Sequence, residues 1–147
     1  METFEGHTSI VNSAEFSMDA TLALTASSDY TAKLWHVKTG ECIQSFDGHT
    51  DIVSSAIFSG DGIWVLTASD DLTGKVWNAS SGECTQTFQG HEGQVCSAVF
   101  SMDDTSVLTA SCDNTAKLWS VSTGQCMQTF EDNEAEIFSA VFSKYGA

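Results

Sequence analysis

Three sets of side chains in the sequence carry groups that could do chemistry together. Each set has an imidazole, a hydroxyl, a carboxylate and an indole in the same order: His7, Thr25, Asp29 and Trp35; His49, Thr67, Asp71 and Trp77; and His91, Thr109, Asp113 and Trp119. Imidazole, hydroxyl and carboxylate are the groups of a nucleophilic catalytic triad. Because an enzyme needs one such site, three copies at one spacing favour a structural role over catalysis.

The copies belong to a longer internal repeat. Ser111 to Trp119 is the third near-copy of a nine-residue phrase whose other copies are Ser27 to Trp35 and Ser69 to Trp77. Successive copies lie 42 residues apart, as do three Gly-His pairs, at residues 6–7, 48–49 and 90–91. A fixed period of this size is typical of a repeat array. At this period the 147 residues contain about three and a half units.

Each unit resembles a WD40 repeat, which forms one four-stranded blade of a β-propeller, because a Gly-His pair precedes the tryptophan and an aspartate lies six residues before it. The resemblance covers essentially the whole chain and implies an all-β fold. In WD40 repeats the residues that match the twelve positions above form a buried hydrogen-bonded chain that pins the turns of the blade. We therefore expect structural tetrads at these positions, and no catalytic residues.

The repeat predicts one WD40 array over residues 1–147. Its units are 7–48, 49–90 and 91–132, followed by a partial unit at 133–147, with residues 1–6 as the end of an outer strand. The partial unit departs from the pattern, since Asp132-Asn133 replaces the Gly-His pair and no Asp or Trp of a tetrad follows. Glu136 to Phe142 is predicted to be the innermost strand of that unit. A propeller usually has about 4–8 blades, so one chain is expected to form an incomplete ring.

The amino-acid composition limits the classes of partner that the chain is expected to bind. Twenty acidic and five basic residues give a net charge of −15, and all five basic residues are lysines. A strongly acidic surface repels nucleic acid and anionic membranes and attracts a basic peptide or protein. Five cysteines without an amino-terminal apolar segment predict a reducing, cytoplasmic location.

Metal and cofactor sites are not predicted. His7, His49 and His91 belong to separate units, too far apart to share an ion, and no glycine-rich phosphate loop is present. Cys42, Cys84 and Cys126 follow the 42-residue period and are expected on different blades, which disfavours disulfide or zinc geometry. Cys96 and Cys112 break the period, and we interpret them as small residues that fill space.

Differences between the units indicate where binding specificity would lie. Residues 7–48 and 91–132 match at 25 of 42 positions. The mismatches cluster after the histidine, before the aspartate and after the tryptophan, where loops are expected. The candidate partner-binding positions are Thr8, Ser9, Ser28, Thr50, Asp51, Asp70, Glu92, Gly93 and Cys112.

These observations predict a non-catalytic protein-interaction scaffold. Because unpaired strand edges invite pairing with another chain, a homodimer is the simplest closed assembly, with a larger ring as the alternative. Two other functions remain open: a purely structural self-assembly module, or a segment of a longer WD40 array that serves as the sensor domain of a larger protein.

Overall fold

The computed structural model describes residues 3–131 and 134–143. In this part of the chain it contains twelve β-strands and no helix. It follows that no helix there could cross a membrane.

The strands form three four-stranded sheets, which we call blades 1, 2 and 3. Blade 1 consists of β1 (Val11–Phe16), β2 (Leu22–Ser27), β3 (Thr31–His36) and β4 (Cys42–Asp47). Blade 2 consists of β5 (Val53–Phe58), β6 (Trp64–Ser69), β7 (Gly74–Asn78) and β8 (Cys84–Phe88). Blade 3 consists of β9 (Val95–Phe100), β10 (Ser106–Ser111), β11 (Thr115–Ser120) and β12 (Cys126–Glu131). The all-β blades predicted from the repeat are confirmed.

Each blade is an antiparallel meander in which consecutive strands pair. The second strand, with its Leu-Thr-Ala-Ser sequence, is the most buried, because it has a strand on each side and another blade against its face. A strand covered on both faces is apolar along most of its length, whereas a strand with one solvated face alternates. The outer strands β4 and β8 accordingly show mixed burial.

Two apolar cores lie between the blades. At the first junction, Leu24, Leu34 and Phe46 of blade 1 pack against Val53 and Trp77 of blade 2. At the second junction the residues 42 positions later, among them Leu66, Val76 and Phe88, pack against Val95 and Trp119. Equivalent positions of the repeat therefore form the same kind of interface at both junctions. The three blades stack in an open row.

Two strand predictions at the ends of the row are wrong. Residues 136–142, predicted as the innermost strand of the partial unit, form no strand, although the Ile137 N–H donates to Ser111 O (3.1 Å). No second strand of that unit follows within the 147 residues to pair with them. Residues 3–6, predicted as the end of an outer strand, also form no strand. Residues 1–2, 132–133 and 144–147 lie outside the described residues.

Candidate functional site

The twelve residues of the predicted tetrads lie in three groups at one edge of the row, which we call the tetrad edge. This edge carries the loops before β1, β5 and β9 and the turns that leave β2, β6 and β10. In each blade the histidine comes from the loop, the threonine from the second strand, the aspartate from the turn and the tryptophan from the third strand. The antiparallel meander brings these four segments together, because the first strand begins where the second one ends.

Hydrogen bonds connect the four side chains in the same order in every blade. In blade 2, Trp77 Nε1–H donates to Thr67 Oγ1 (2.9 Å), and Thr67 Oγ1 lies 2.7 Å from His49 Nε2. His49 Nδ1 lies 2.6 Å from Asp71 Oδ2. Because the ionised carboxylate can only accept, a neutral histidine must carry its proton on Nδ1, and the threonine hydroxyl then donates to Nε2.

Blades 1 and 3 repeat this geometry closely. The histidine–aspartate distances are 2.7 Å for His7–Asp29 and 2.8 Å for His91–Asp113. The indole–threonine distances are 2.8 Å for both Trp35–Thr25 and Trp119–Thr109. Three chains of the same donors and acceptors thus lie side by side along the tetrad edge.

The aspartate of each tetrad also fixes the turn around it. In blade 2, Asp71 Oδ1 accepts from the Thr73 N–H (3.0 Å) and the Thr73 hydroxyl (2.6 Å), and Oδ2 accepts from the Thr50 N–H (3.2 Å). These bonds hold Leu72 between them with φ at 74°, a left-handed conformation that is costly for a side chain of this kind. The carboxylate therefore stabilises a strained turn.

Burial and hydrogen bonding set the protonation states of the tetrads. Burial lowers the pKa of His49 and of His91 below the ordinary histidine value, although the adjacent aspartate opposes this effect. For Asp71, burial alone would raise the carboxyl pKa, but the hydrogen bonds from Thr73, His49 and Thr50 outweigh it and lower the pKa. A similar set of hydrogen bonds, opposed by burial, lowers the pKa of Asp29 and Asp113. At neutral pH the tetrads of blades 2 and 3 therefore each contain a carboxylate and a neutral imidazole.

The same geometry disfavours catalysis by the tetrad residues. The hydroxyls that would act as nucleophiles belong to buried threonines, Thr67 and Thr109 being fully buried, and each already bonds to an indole and an imidazole. Among residues 3–131 and 134–143 there is also no group of three His, Cys, Asp or Glu side chains that could hold a metal ion.

The candidate partner-binding positions lie along the tetrad edge, but they differ in exposure. Thr8, Ser9, Thr50 and Glu92 are exposed, whereas Ser28, Asp51, Asp70, Gly93 and Cys112 are half-buried. Asp70 is already engaged, because it accepts from Ser54 Oγ (3.1 Å) and from Gln94 Nε2 of the next blade (3.0 Å).

Sequence reasoning missed the residue at the tip of each β2–β3-type turn. Tyr30 and Leu72 are exposed there, and Asn114 is half-buried at the same place. All three have positive φ and follow the aspartate of a tetrad directly. The sequence could have identified them by their variation, since Tyr, Leu and Asn occupy one position of a phrase that is otherwise repeated.

Comparison with known protein families agrees with this architecture. The family described as "WD domain, G-beta repeat" matches residues 1–36, 40–78 and 82–120, which is most of the chain. The chain belongs to the WD-repeat family. Proteins built from WD repeats generally mediate protein–protein interactions and are generally not enzymes.

Curated WD-repeat relatives match over one repeat length. Eukaryotic translation initiation factor 3 subunit I of Debaryomyces hansenii is 46% identical over 43 residues, which is 29% of this chain and 12% of that protein. Serine-threonine kinase receptor-associated protein of Dictyostelium discoideum is 54% identical over 43 residues, 29% of this chain and 15% of that protein. The matched segments thus span a small part of both relatives.

The tetrads predict a pH dependence of stability. An unfolded histidine has a pKa of about 6.5. With the folded pKa of His49 and His91 depressed, the unfolded chain binds more protons below this pH, so stability falls as the pH falls from about 7 to 5. The depressed pKa values of the aspartates add a second loss below about pH 4, where the unfolded carboxyls begin to take up protons. Urea unfolding at a series of pH values measures both.

The difference between the wild type and a variant is the clearer readout, because protonating surface carboxylates relieves the repulsion within a chain of charge −15. His49→Gln should reduce the loss of stability between about pH 7 and 5, since one shifted histidine is gone. His36→Gln, outside the tetrads, is the control. Equal pH profiles for the wild type and His49→Gln would contradict a neutral, buried imidazole at His49.

Proposed function

We propose that the chain is a non-catalytic protein-binding scaffold whose blades assemble head to tail with a second copy of the same chain. One observation carries the proposal. The two ends of the row expose the side chains that the two internal junctions bury. In this proposal the tetrads are structural, because they fix the turns that present the tetrad edge to a partner.

We call the face of a blade that points towards the next blade along the chain its rear face, and the opposite one its front face. The rear face of blade 3 exposes a side chain that blades 1 and 2 bury. Phe46 and Phe88, which lie on the outer strands at the two internal junctions, are 0% exposed, whereas the equivalent Phe130 is 47% exposed.

The front face of blade 1 likewise exposes a side chain that blades 2 and 3 bury. Val53 and Val95 are fully buried by the preceding blade, whereas the equivalent Val11 is 48% exposed and Ile10 beside it is also exposed. The rear of blade 3 on one chain thus complements the front of blade 1 on another, with the contacts already seen twice within the chain.

The terminal segments partly fill the places of the absent neighbours. Phe4 stacks on Trp35 with ring centroids 5.6 Å apart, and Phe46 packs against Trp77 in a tilted arrangement at 5.8 Å. Phe4, Phe46, Phe88 and Phe130 share one position of the repeat. At a junction between chains, the Phe4 of one copy would therefore compete with the Phe130 of the other for a single place on Trp35, and one segment must yield.

The number of blades favours a dimer. If the terminal segments yield, each chain contributes three complete blades. Two chains then form a six-bladed ring with two-fold symmetry, within the usual range of about 4–8 blades, whereas three chains would exceed it.

Light scattering at micromolar concentration tests the assembly. The wild type should have at least twice the chain mass of 15.7 kDa. Phe130→Asp should reduce the mass to that of one chain, because it buries a charge in the junction without a partner. Met18→Asp is the control, since Met18 is 98% exposed in the turn between β1 and β2. A well-folded wild-type monomer would refute the assembly.

The acidic surface supports a basic peptide or protein as the partner. Lys33, Lys75 and Lys117 donate to hydroxyls of the neighbouring outer strand and, within the described residues, lie within salt-bridge distance of no carboxylate. The excess negative charge of the described surface is therefore not paired with them. Such a field attracts cationic ligands and repels duplex DNA.

A lysine- and arginine-rich peptide should bind the chain, and its affinity should fall steeply from low to physiological salt, because exposed charges are screened over about 8 Å there. Glu92→Lys, at the tetrad edge, should weaken binding more than Glu83→Lys, which makes the same charge change in the turn at the opposite edge. Titration by fluorescence anisotropy measures both. Equal losses would place the binding surface elsewhere, and salt-independent binding would exclude electrostatic attraction as its main source.

A second candidate function is a segment of a longer WD-repeat array that acts as the sensor domain of a larger protein. It is favoured by the small share of each relative, 12% and 15%, that the chain matches. A cytoplasmic, reducing location is part of both proposals, supported by five cysteines that are all free thiols.

A further inference from the structure

The thiols of Cys96 and Cys112 lie side by side at the tetrad edge of blade 3. Their Sγ atoms are 3.0 Å apart. Cys96 is in β9 and Cys112 directly follows β10, and the Cys112 N–H donates to Gln94 O (3.0 Å), which ties the two segments together next to the thiols. The sequence interpretation of these residues as separate space-filling side chains therefore overlooked their contact.

The backbone of every blade brings this pair of positions together. A β-bulge lies at the start of the first strand in all three blades, so the pairing skips one residue: Asn12, Ser54 or Cys96. The side chain of that residue contacts the residue just after the second strand. Asn12 bonds to Ser28 (3.1 Å) in blade 1, and Ser54 donates to Asp70 (3.1 Å) in blade 2. Blade 3 places two thiols in the same recurring geometry.

We propose that Cys96 and Cys112 are a modification site that forms a reversible intramolecular disulfide when a low-molecular-weight disulfide such as oxidised glutathione is the oxidant. The two sulfurs already lie in contact across neighbouring backbone segments. Bond formation then requires only a small approach of two side chains that the bulge holds at the same place.

The reaction proceeds by two thiol–disulfide exchanges. The thiolate of Cys112 attacks one sulfur of glutathione disulfide, which forms a mixed disulfide and releases one glutathione. Cys96 then attacks Cys112 Sγ and displaces the second glutathione. Two protein thiols are oxidised to one disulfide, one glutathione disulfide is reduced to two thiols, and the protons of the cysteines pass to the released glutathione.

The environment of Cys96 sets the order of these steps. Burial, followed by the hydrogen bond and charge of Cys112, raises the pKa of Cys96 to about 12. Since the thiolate is the nucleophile, Cys96 reacts slowly at neutral pH and Cys112 is the first to attack. Once Cys112 is part of the mixed disulfide, its hydrogen bond and charge no longer oppose ionisation of Cys96. The closing step should therefore accelerate with rising pH.

The other three thiols cannot close a ring in the same way. Cys42, Cys84 and Cys126 are exposed at the starts of the outer strands of three different blades, and each Sγ donates to the carbonyl two residues later. With oxidised glutathione these thiols should stop at the mixed disulfide. Mass therefore distinguishes the two fates, because an internal disulfide removes two hydrogens whereas a mixed disulfide adds a glutathione.

The full chain with Cys42→Ser, Cys84→Ser and Cys126→Ser retains this thiol pair alone. After incubation with oxidised glutathione in mildly alkaline buffer, its free thiols should fall from two to none. The intact mass should fall by two hydrogens, and a non-reducing peptide map should link Cys96 to Cys112. Dithiothreitol should restore both thiols. The oxidised form should also melt at a higher temperature, because the cross-link restricts the unfolded chain.

The neighbouring blade supplies a matched control. In the same background, Cys96→Ser with Cys112→Asp introduces the Ser54–Asp70 pair of blade 2 and should fold without reacting. The proposal is overturned if the folded three-serine variant keeps both thiols under conditions that modify the exposed cysteines of the wild type. It is equally overturned if that variant gains glutathione on both thiols, or forms only disulfides between chains.

Discussion

Phe88→Ala should lower the free energy of unfolding by about 3–5 kcal/mol, the usual cost of truncating a buried phenylalanine. Phe88 is 0% exposed at the junction of blades 2 and 3, and its ring lies 5.5 Å from that of Trp119. Removing the ring opens a cavity between two blades, and the close-packed side chains around it can relax only partly to fill the space. Urea unfolding followed by tryptophan fluorescence measures this loss.

Phe130→Ala is the matched control, because Phe130 occupies the same position of the repeat and is 47% exposed. In a dilute, monomeric sample its loss of stability should be well below that of Phe88→Ala, since less apolar surface leaves water on folding. At concentrations where chains assemble, the Phe130 variant should lose additional stability together with mass. Equal costs at all concentrations would show that exposure at the end of the row does not decide the role of this phenylalanine.

Trp77→Phe should lower the free energy of unfolding by about 1–3 kcal/mol, because it leaves the buried Thr67 oxygen without the donor that it accepts from. The Trp77 indole N–H donates to Thr67 Oγ1 (2.9 Å), and phenylalanine keeps an aromatic ring but has no donor. The larger indole also packs tightly, since a Cβ on Gly48 would lie 3.0 Å from its ring. The variant should therefore melt at a lower temperature with a less rigid loop before β5.

Trp64→Phe is the control for this change. Trp64 is half-buried in β6, and the other units have leucine and serine at its position, so it belongs to no tetrad. Its replacement tests packing without removing a tetrad hydrogen bond, and its effect on the melting temperature should be smaller. If Trp77→Phe melts like the wild type, the hydrogen-bonded chain does not stabilise the blade.

Much of the fold could be predicted from local sequence, because a strand with one solvated face and a strand with two covered faces differ in pattern. In the first unit, the apolar and β-branched run over residues 22–27 is bounded by turn residues and indicates a second strand, and it forms β2 (Leu22–Ser27). The alternating run over residues 31–37 indicates a third strand, and β3 ends one residue earlier, at His36. Strand ends depend on turn hydrogen bonds as well as on pattern, which explains the difference of one residue.

The sequence by itself also determined which residue types each blade places at the tetrad positions, since the 42-residue period repeats them three times. The distances between them, the strained turn at Leu72 and the neutral form of His49 required the structure. Hydrogen-bond geometry and desolvation arise between segments that are far apart in sequence, and a local pattern carries no information about either.

The tertiary structure alone decided the fate of equivalent residues at different places in the row. Phe88 and Phe130 have nearly the same local sequence, yet one is buried and the other half exposed, because a blade follows the first and not the second. Residues 136–142 match β1 in pattern but form no strand, because a strand needs a paired neighbour. Cys96 and Cys112 meet because a bulge shifts the strand pairing by one residue. Burial, strand pairing and side-chain contact all depend on which segments the fold places next to a residue, and the local sequence does not contain that information.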